Sequence, residues 1–229
     1  MLKIGVVGIG HIASHRHIPI LQKIKDANVT ALCDIREPVL KKYGQEFGIK
    51  NQFTSLSEML KDDVDAVDLT TPPQSHHKLA IECMEAGKHV IVEKPLAMNV
   101  NEIDEMHRVA DNEGVTLCSL HQNIYNPVVM KTVKMYKDGE VGGLISVHTA
   151  TYVRPNNYMV NDGNHWCHKL PGGIFFETIP HPVYLLQEFL ENAKPVHVLT
   201  HKMTDKPWLK AEEAVVMLKG DNGMNFVNR

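Results

Sequence analysis

Through its first half the chain alternates between short apolar runs and segments of helical periodicity. That alternation restricts the available folds more than any other feature of the sequence. KIGVVGI reads as a buried strand. In IASHRHIPILQKIK the apolar residues Ile12, Ile20, Leu21 and Ile24 recur at helical spacing. NVTALCDI is a second strand, and EPVLKKYGQEFG a helix with Pro38 in its first turn and Gly48 at its end. SLSEMLKD predicts a short helix opened by a Ser55–Glu58 capping box. VDAVDLTT, HVIVE and VTLCSL are strands. They are separated by the helices SHHKLAIECMEAG and NVNEIDEMHRVADNEG, closed by Gly87 and Gly114. Strands that alternate with helices must run parallel, with helices on both faces of the sheet. This α/β domain is expected over residues 1–122.

The pattern changes in residues 123–229. PVVMKTVKMYKDG predicts a helix, and LISVHTATYVR a long, partly alternating strand of an antiparallel sheet with one exposed face. PNNYMVNDGNHWCHKLPGG reads as a polar loop and IFFETIPHPVYLLQEFLEN as a helix with Pro180 and Pro182 early in it. PVHVLTHK, EEAVVMLKG and MNFVNR read as short strands, the last two joined through an Asp-Asn-Gly turn. The second domain is therefore expected to be α+β, around an open sheet.

A formal net charge of −3 gives no basic excess for nucleic acid or an anionic membrane. No apolar stretch approaches the length of a membrane span, and the N-terminus lacks the long apolar core of a signal peptide, so a cytoplasmic location is expected. Cys33, Cys83, Cys118 and Cys167 form no CxxC pair and read as buried, reduced thiols. His11, His15 and His17 crowd one helix, and His165, Cys167 and His168 share the loop segment HWCH. Neither group shows a complete ligand set, so no metal site is expected.

The segment VVGIGHIA places Gly8-x-Gly10-x-x-Ala13 between the first strand and the first helix. Gly8 suits a tight turn, Gly10 lets a diphosphate approach the backbone, and Ala13 lets helix and strand pack closely. His11 and Ile12 then supply N–H groups at the start of the helix. Asp34 ends the second strand, where a carboxylate can accept from the adenosine ribose hydroxyls. That acid favours NAD over NADP, and Arg36, two residues on, blurs the preference.

GIGHIA, TTPPQSHHKLAIECMEAGKHVIVEKPLA and GGIFFETIPH occur in an order that resembles the glucose–fructose oxidoreductase / inositol dehydrogenase (Gfo/Idh/MocA) family over nearly the whole chain. The resemblance implies a Rossmann domain followed by an open-faced sheet domain. It also implies NAD(P)-dependent hydride transfer to or from a hydroxyl or carbonyl of a sugar, polyol or related small molecule. Thr71, Pro72 and His76 then fall beside the cofactor, with His76 either lining the nicotinamide side or capping a helix. Glu93 is implied as a ligand of the nicotinamide-side ribose and Lys94 as a donor to the reacting oxygen. The bond from Lys94 to Pro95 is often cis in that family. His181 is implied as the general acid/base, with Glu177 one helical turn before it.

Three departures from the family pattern qualify the resemblance. Glu177 stands where the family usually has Asp. Ile124 in HQNIYNP takes the place of an Arg, leaving His121 and Asn123 as polar pocket residues or a helix-entry turn. The family commonly continues for roughly a hundred further residues, so the second sheet is expected to be incomplete, with an edge for another chain to cover. Tyr158 and Trp166 are candidates for stacking on a sugar ring. The open sheet implies a homodimer or homotetramer. A second reading of the same residues is a dinucleotide-binding sensor or partner subunit without dehydrogenase activity.

Overall fold

The structure, a computed structural model, describes residues 1–153, 157–190, 192–221 and 225–228, the last four by backbone only. Packing divides the chain into two compact units, Met1–Leu120 and His121–Arg229.

The first unit is built on six parallel strands: β1 (Leu2–Val7), β2 (Ala27–Cys33), β3 (Asn51–Phe53), β4 (Ala66–Leu69), β5 (His89–Val92) and β6 (Leu117–Ser119). Their spatial order is β3-β2-β1-β4-β5-β6. The order reverses between β1 and β4, and such a switch point opens a crevice at the carboxyl ends of the strands. Strand alternation sorts the side chains onto two faces. Val7, Ala31, Cys33, Val67, Leu69, Val90 and Val92 pack with α3 (Leu56–Met59), α4 (His76–Glu85) and α5 (Val100–Glu113). Ile4, Val6, Val29, Leu32 and Ala66 pack with Ala13, Ile18 and Leu40 on the other side. The helix expected after the glycine loop is a π-helical turn, Ala13–His17, running into α1 (Ile18–Leu21).

Helix ends follow local chemistry. α2 (Glu37–Phe47) has Pro38 in its first turn and closes on Gly48 at φ 70°, and α5 closes on Gly114 at φ 65°. The Ser55–Glu58 capping box does not form. Ser55 Oγ instead pairs with Ser57 Oγ at 2.9 Å, so the hydroxyl is spent on its neighbour rather than on the helix. The box forms around α5: Asn99 accepts the Glu102 N–H at 3.0 Å, and Glu102 accepts the Met98 N–H at 2.9 Å.

The second unit carries α6 (Pro127–Lys137), α7 (Tyr158–Asn161), α8 (Ile174–Thr178) and α9 (Pro180–Gln187). Its four-stranded sheet has the order β7-β10-β9-β8, with β7 (Ser146–Thr149), β8 (Lys194–His201), β9 (Glu213–Lys219) and β10 (Asn225–Asn228). This corrects the expected antiparallel sheet in one place: β7 runs parallel to β10, while β8–β9 and β9–β10 are antiparallel. The strand expected through Arg154 has only Ser146–Thr149 in the ladder, and Arg154 itself lies outside the described residues. Asn222 and Gly223 of the expected turn also lie outside them. The single helix expected from Ile174 is two, α8 and α9, meeting at Ile179 ahead of Pro180 and Pro182. Cys33, Cys83 and Cys167 are buried, whereas Cys118 is exposed, contrary to its apolar sequence context. It is on β6, the outermost strand of its sheet. Among the described residues no helix is long and apolar enough to cross a membrane.

Candidate functional site

In the first unit the glycine loop lies at the switch point. Gly8 has φ 86°, and a Cβ there would come within 2.5 Å of Thr71 Cγ2, so only glycine fits beside the loop that follows β4. A Cβ on Gly10 would meet nothing within 4 Å; that open space is where a diphosphate can approach the backbone. His11 is exposed and Ile12 half-buried at the start of the helical segment. Thr70 Oγ1 donates to the carbonyls of Val7 and Gly8 at 3.0 and 2.9 Å, joining β4 to the loop. Beyond it, Thr71 is half-buried and Pro72 exposed, and Ser75 Oγ donates to Thr71 Oγ1 at 2.8 Å.

Asp34 is buried at the end of β2, and its carboxylate is fully engaged. Oδ2 accepts from Ile9 N–H and Arg36 Nη2, both at 2.8 Å. Oδ1 accepts from the backbone N–H and Nε–H of Arg36, both at 2.9 Å. Burial alone would raise this carboxyl, but the Arg36 and Ile9 hydrogen bonds outweigh it and hold it below the usual range. The Arg36 side chain is itself exposed, so its ion pair with Asp34 lies at the surface end of the strand.

At the carboxyl end of β5, Glu93 and Lys94 are buried, at 8% and 9% exposure, and the Lys94–Pro95 peptide is cis. Glu93 Oε2 accepts the Lys94 N–H at 3.0 Å, and His17 Nε2 lies 3.1 Å from Oε1. Burial pushes the Glu93 carboxyl up, and His17 together with Lys94 pulls it below its ordinary value. His76 is fully buried and caps no helix. Its ring nitrogens lie 2.7 and 2.9 Å from the carbonyl oxygens of Thr71 and Pro95, so it braces the Glu93–Pro95 turn against the Thr71 loop. Burial lowers its pKa.

The predicted residues of the second unit form two groups. In the first, Nδ1 of His181 lies 2.8 Å from the Tyr184 hydroxyl, whose oxygen accepts the Asn123 backbone N–H at 3.3 Å. The Asn123 side-chain amide is 3.5 Å from the same Nδ1. His121 stacks on Tyr184, with ring centroids 4.5 Å apart. With the Tyr184 hydroxyl and the Asn123 amide converging on Nδ1, we assign that nitrogen as the acceptor, which leaves Nε2 to carry the ring proton. In the second group, the Glu177 charge acts on Tyr158, His165 and Cys167. It joins burial in raising the Tyr158 hydroxyl, and in pushing the Cys167 thiol up to about 11. Tyr158 and Trp166 both pack on His165, each with ring centroids 5.2 Å away. Among the described residues no three His, Cys, Asp or Glu side chains are placed to hold a metal ion.

A cavity of about 490 Å³ in this unit is lined by Ile174, Phe175, Thr178, Ile179 and Pro182, together with residues near β9. None of His121, Asn123, Glu177 or His181 lines it.

Sequence reasoning passed over Tyr184, Asp68 and the role of His17. Asp68 left a signal, an acid inside a wholly buried four-residue strand. Tyr184 left a weaker one, its position three residues after His181 on a helix.

Residues 2–121 match the model of the oxidoreductase family with an NAD-binding Rossmann fold. The myo-inositol 2-dehydrogenase of Thermotoga maritima is 30% identical over 142 residues, covering 62% of this chain and 42% of that protein. Oxidoreductase P35 of Formosa agariphila is 25% identical over 199 residues, covering 83% of this chain and 62% of that protein. This chain thus spans less than two thirds of either relative. The solved WlbA dehydrogenase of Bordetella pertussis, in complex with NADH and UDP-GlcNAcA, superposes with a TM-score of 0.87 at 28% identity. That match covers 99% of this chain and 66% of that one.

Proposed function

From the premise that the chain belongs to the NAD-binding Rossmann-fold oxidoreductase family (Gfo/Idh/MocA), we propose that it is an NAD(P)-dependent dehydrogenase or reductase. Its substrate is a hydroxyl or carbonyl compound of the sugar, polyol or nucleotide-sugar class. The observation that carries this reading is the buried Glu93-Lys94-Pro95 turn, set at the carboxyl end of β5 in the sheet whose β1 runs into the Gly8–Gly10 loop. Gly8, Gly10, His11 and Ile12 are read as the diphosphate cradle and Asp34 as the adenosine-ribose ligand, with Arg36 able to turn to a 2′-phosphate. Thr71 and Pro72 border the cradle, and His76 is a brace rather than a ligand. The bound cofactor supplies hydride transfer.

Glu93, held ionised, accepts from a ribose hydroxyl, and Lys94 donates to the reacting substrate oxygen. In the second unit His181 exchanges the substrate proton through Nε2, because Nδ1 is committed to Tyr184. His121 and Asn123 support that ring. Glu177, Tyr158 and Trp166 are read as substrate-recognition residues. β8 is exposed along its whole length, including Val196, Val198 and Leu199, and is read as the face that meets a second copy of the chain.

The test is a fluorescence titration with NADH and NADPH, followed by a panel of polyols and sugars scored by absorbance of the reduced nicotinamide. Binding of a dinucleotide is expected, with one substrate class turned over. Lys94→Ala and His181→Ala should each lower kcat about a hundredfold or more. Tight NADH binding with no turnover on any hydroxyl or carbonyl compound would leave a binding protein and remove the enzyme reading.

A further inference from the structure

His17 stands in the π-helical turn that follows the glycine loop, with its ring turned inward while His15 and Arg16 face solvent. Its Nδ1 lies 2.8 Å from Asp68 Oδ2, and its Nε2 3.1 Å from Glu93 Oε1. Asp68 is 1% exposed, and its Oδ1 has no hydrogen-bond partner among the described residues. Strand alternation explains the meeting. Val67 and Leu69 pack against α4 and α5, so Asp68 points to the opposite face, where the π turn lies. Two carboxylates that each accept from one imidazole require both ring nitrogens to carry protons. A neutral ring would leave one buried carboxylate facing a lone pair.

We propose that His17 is a positioning residue of the cofactor site. As an imidazolium bridging Asp68 and Glu93, it holds the Glu93 carboxylate ionised and aimed, and it fastens the glycine-loop helix to the Glu93-Lys94-Pro95 turn. This rests on the reading above that Glu93 meets the cofactor. A single proton therefore couples the two halves of the dinucleotide cradle. Burial works against the charged ring, but the hydrogen bonds and charges of Asp68 and Glu93 outweigh it and push the His17 pKa up to about 9. The ionisable groups facing His17 are Asp68 from β4 and Glu93 from the end of β5. Lys94 acts on Glu93 in turn, and the Glu93 charge acts on His76. The cluster is intact at neutral pH and loosens as pH rises through the His17 pKa.

The experiment is NADH titration by fluorescence from pH 6 to pH 10.5 on the whole protein and on His17→Asn, Asp68→Asn and Glu93→Gln, each checked for folding by circular dichroism. The unsubstituted protein should bind with an affinity that falls above about pH 9. At pH 7, H17N should bind about ten- to a hundredfold more weakly, and the alkaline fall should vanish. D68N keeps the Glu93 contact. It should bind nearly normally at pH 7, with its alkaline fall moved to lower pH because one of the two anions holding the proton is gone. If H17N folds and keeps both the affinity and the pH profile, while E93Q binds weakly, the positioning role is overturned and the Glu93 reading stands. If E93Q also binds normally, it is the Glu93 reading that fails. A D68N profile that superposes on the unsubstituted one would assign the alkaline fall to Lys94 and overturn the bridge. Should H17N not fold, the D68N shift alone decides.

Discussion

Gly8 is constrained twice, by its positive φ and by the Thr71 methyl that a Cβ would meet at 2.5 Å. Gly8→Ala should therefore cost about 1–3 kcal/mol of stability and weaken NADH binding, read by thermal melting and fluorescence titration. The same substitution at Gly10, where nothing lies within 4 Å of the added carbon, should leave folding nearly intact and act on binding alone. Tyr184 makes a different kind of demand. It is 4% exposed and touches Nδ1 of the proposed acid/base. Tyr184→Phe removes the hydrogen bonds to His181 Nδ1 and from the Asn123 N–H, each worth about 0.5–1.5 kcal/mol, and the first of them bears on the acid/base ring. The expected result is a fall in kcat of about three- to tenfold with KM for the dinucleotide unchanged. A kcat equal to that of the parent protein would remove Tyr184 from the site.

Among the elements, α5 and α3 show how the same local code succeeds or fails. Both begin with a polar residue and carry a Glu three positions later. At α5 the Asn99 and Glu102 side chains close on backbone N–H groups on either side of the helix start. At α3, a single turn, Ser55 bonds Ser57 instead. Asn99→Ala is expected to cost about 1 kcal/mol, seen as a lower melting temperature, whereas Ser55→Ala should change it little. The π turn is the other informative element. Periodicity calls for an ordinary helix over that segment, and the i→i+5 geometry is a local departure of the kind that often accompanies function. Here it accompanies the inward turn of His17.

For the whole molecule, the two units differ in how fully they cover their sheets. The first has helices packed on both faces, with Ile4, Val6, Leu32, Val67, Leu69, Val90 and Val92 buried between layers. The second leaves β8 as an exposed outer strand with Val198 and Leu199 on its surface. An uncovered strand of that kind invites pairing with another chain. Sedimentation velocity should show a mass of at least two chains, and Val198→Asp should shift it toward one. A monomer at every concentration would dismiss β8 as a self-association face.

Much of the first unit was legible in the residue order, because its information is local. Alternating strand and helix periodicities, Pro38, Gly48, Gly87 and Gly114 at helix ends, and the Gly8–Gly10 spacing each act within a few residues of chain. The proposed residues of the dinucleotide cradle are likewise marked by local features, the glycine spacing and the strand ends. What only the tertiary structure decided involves partners far apart in the chain. Asp34 accepts from Ile9 N–H, His76 reaches the Pro95 carbonyl, β7 is parallel to β10, and the Tyr184 hydroxyl beside His181 accepts from Asn123 N–H. His17, Asp68 and Glu93 are separated by tens of residues and meet only because β1, β4 and β5 are neighbours and side chains alternate across them. A histidine and two acids carry no mutual signal in a single sequence. Their pairing is set by sheet order, and sheet order is set by how the apolar faces are buried as a whole.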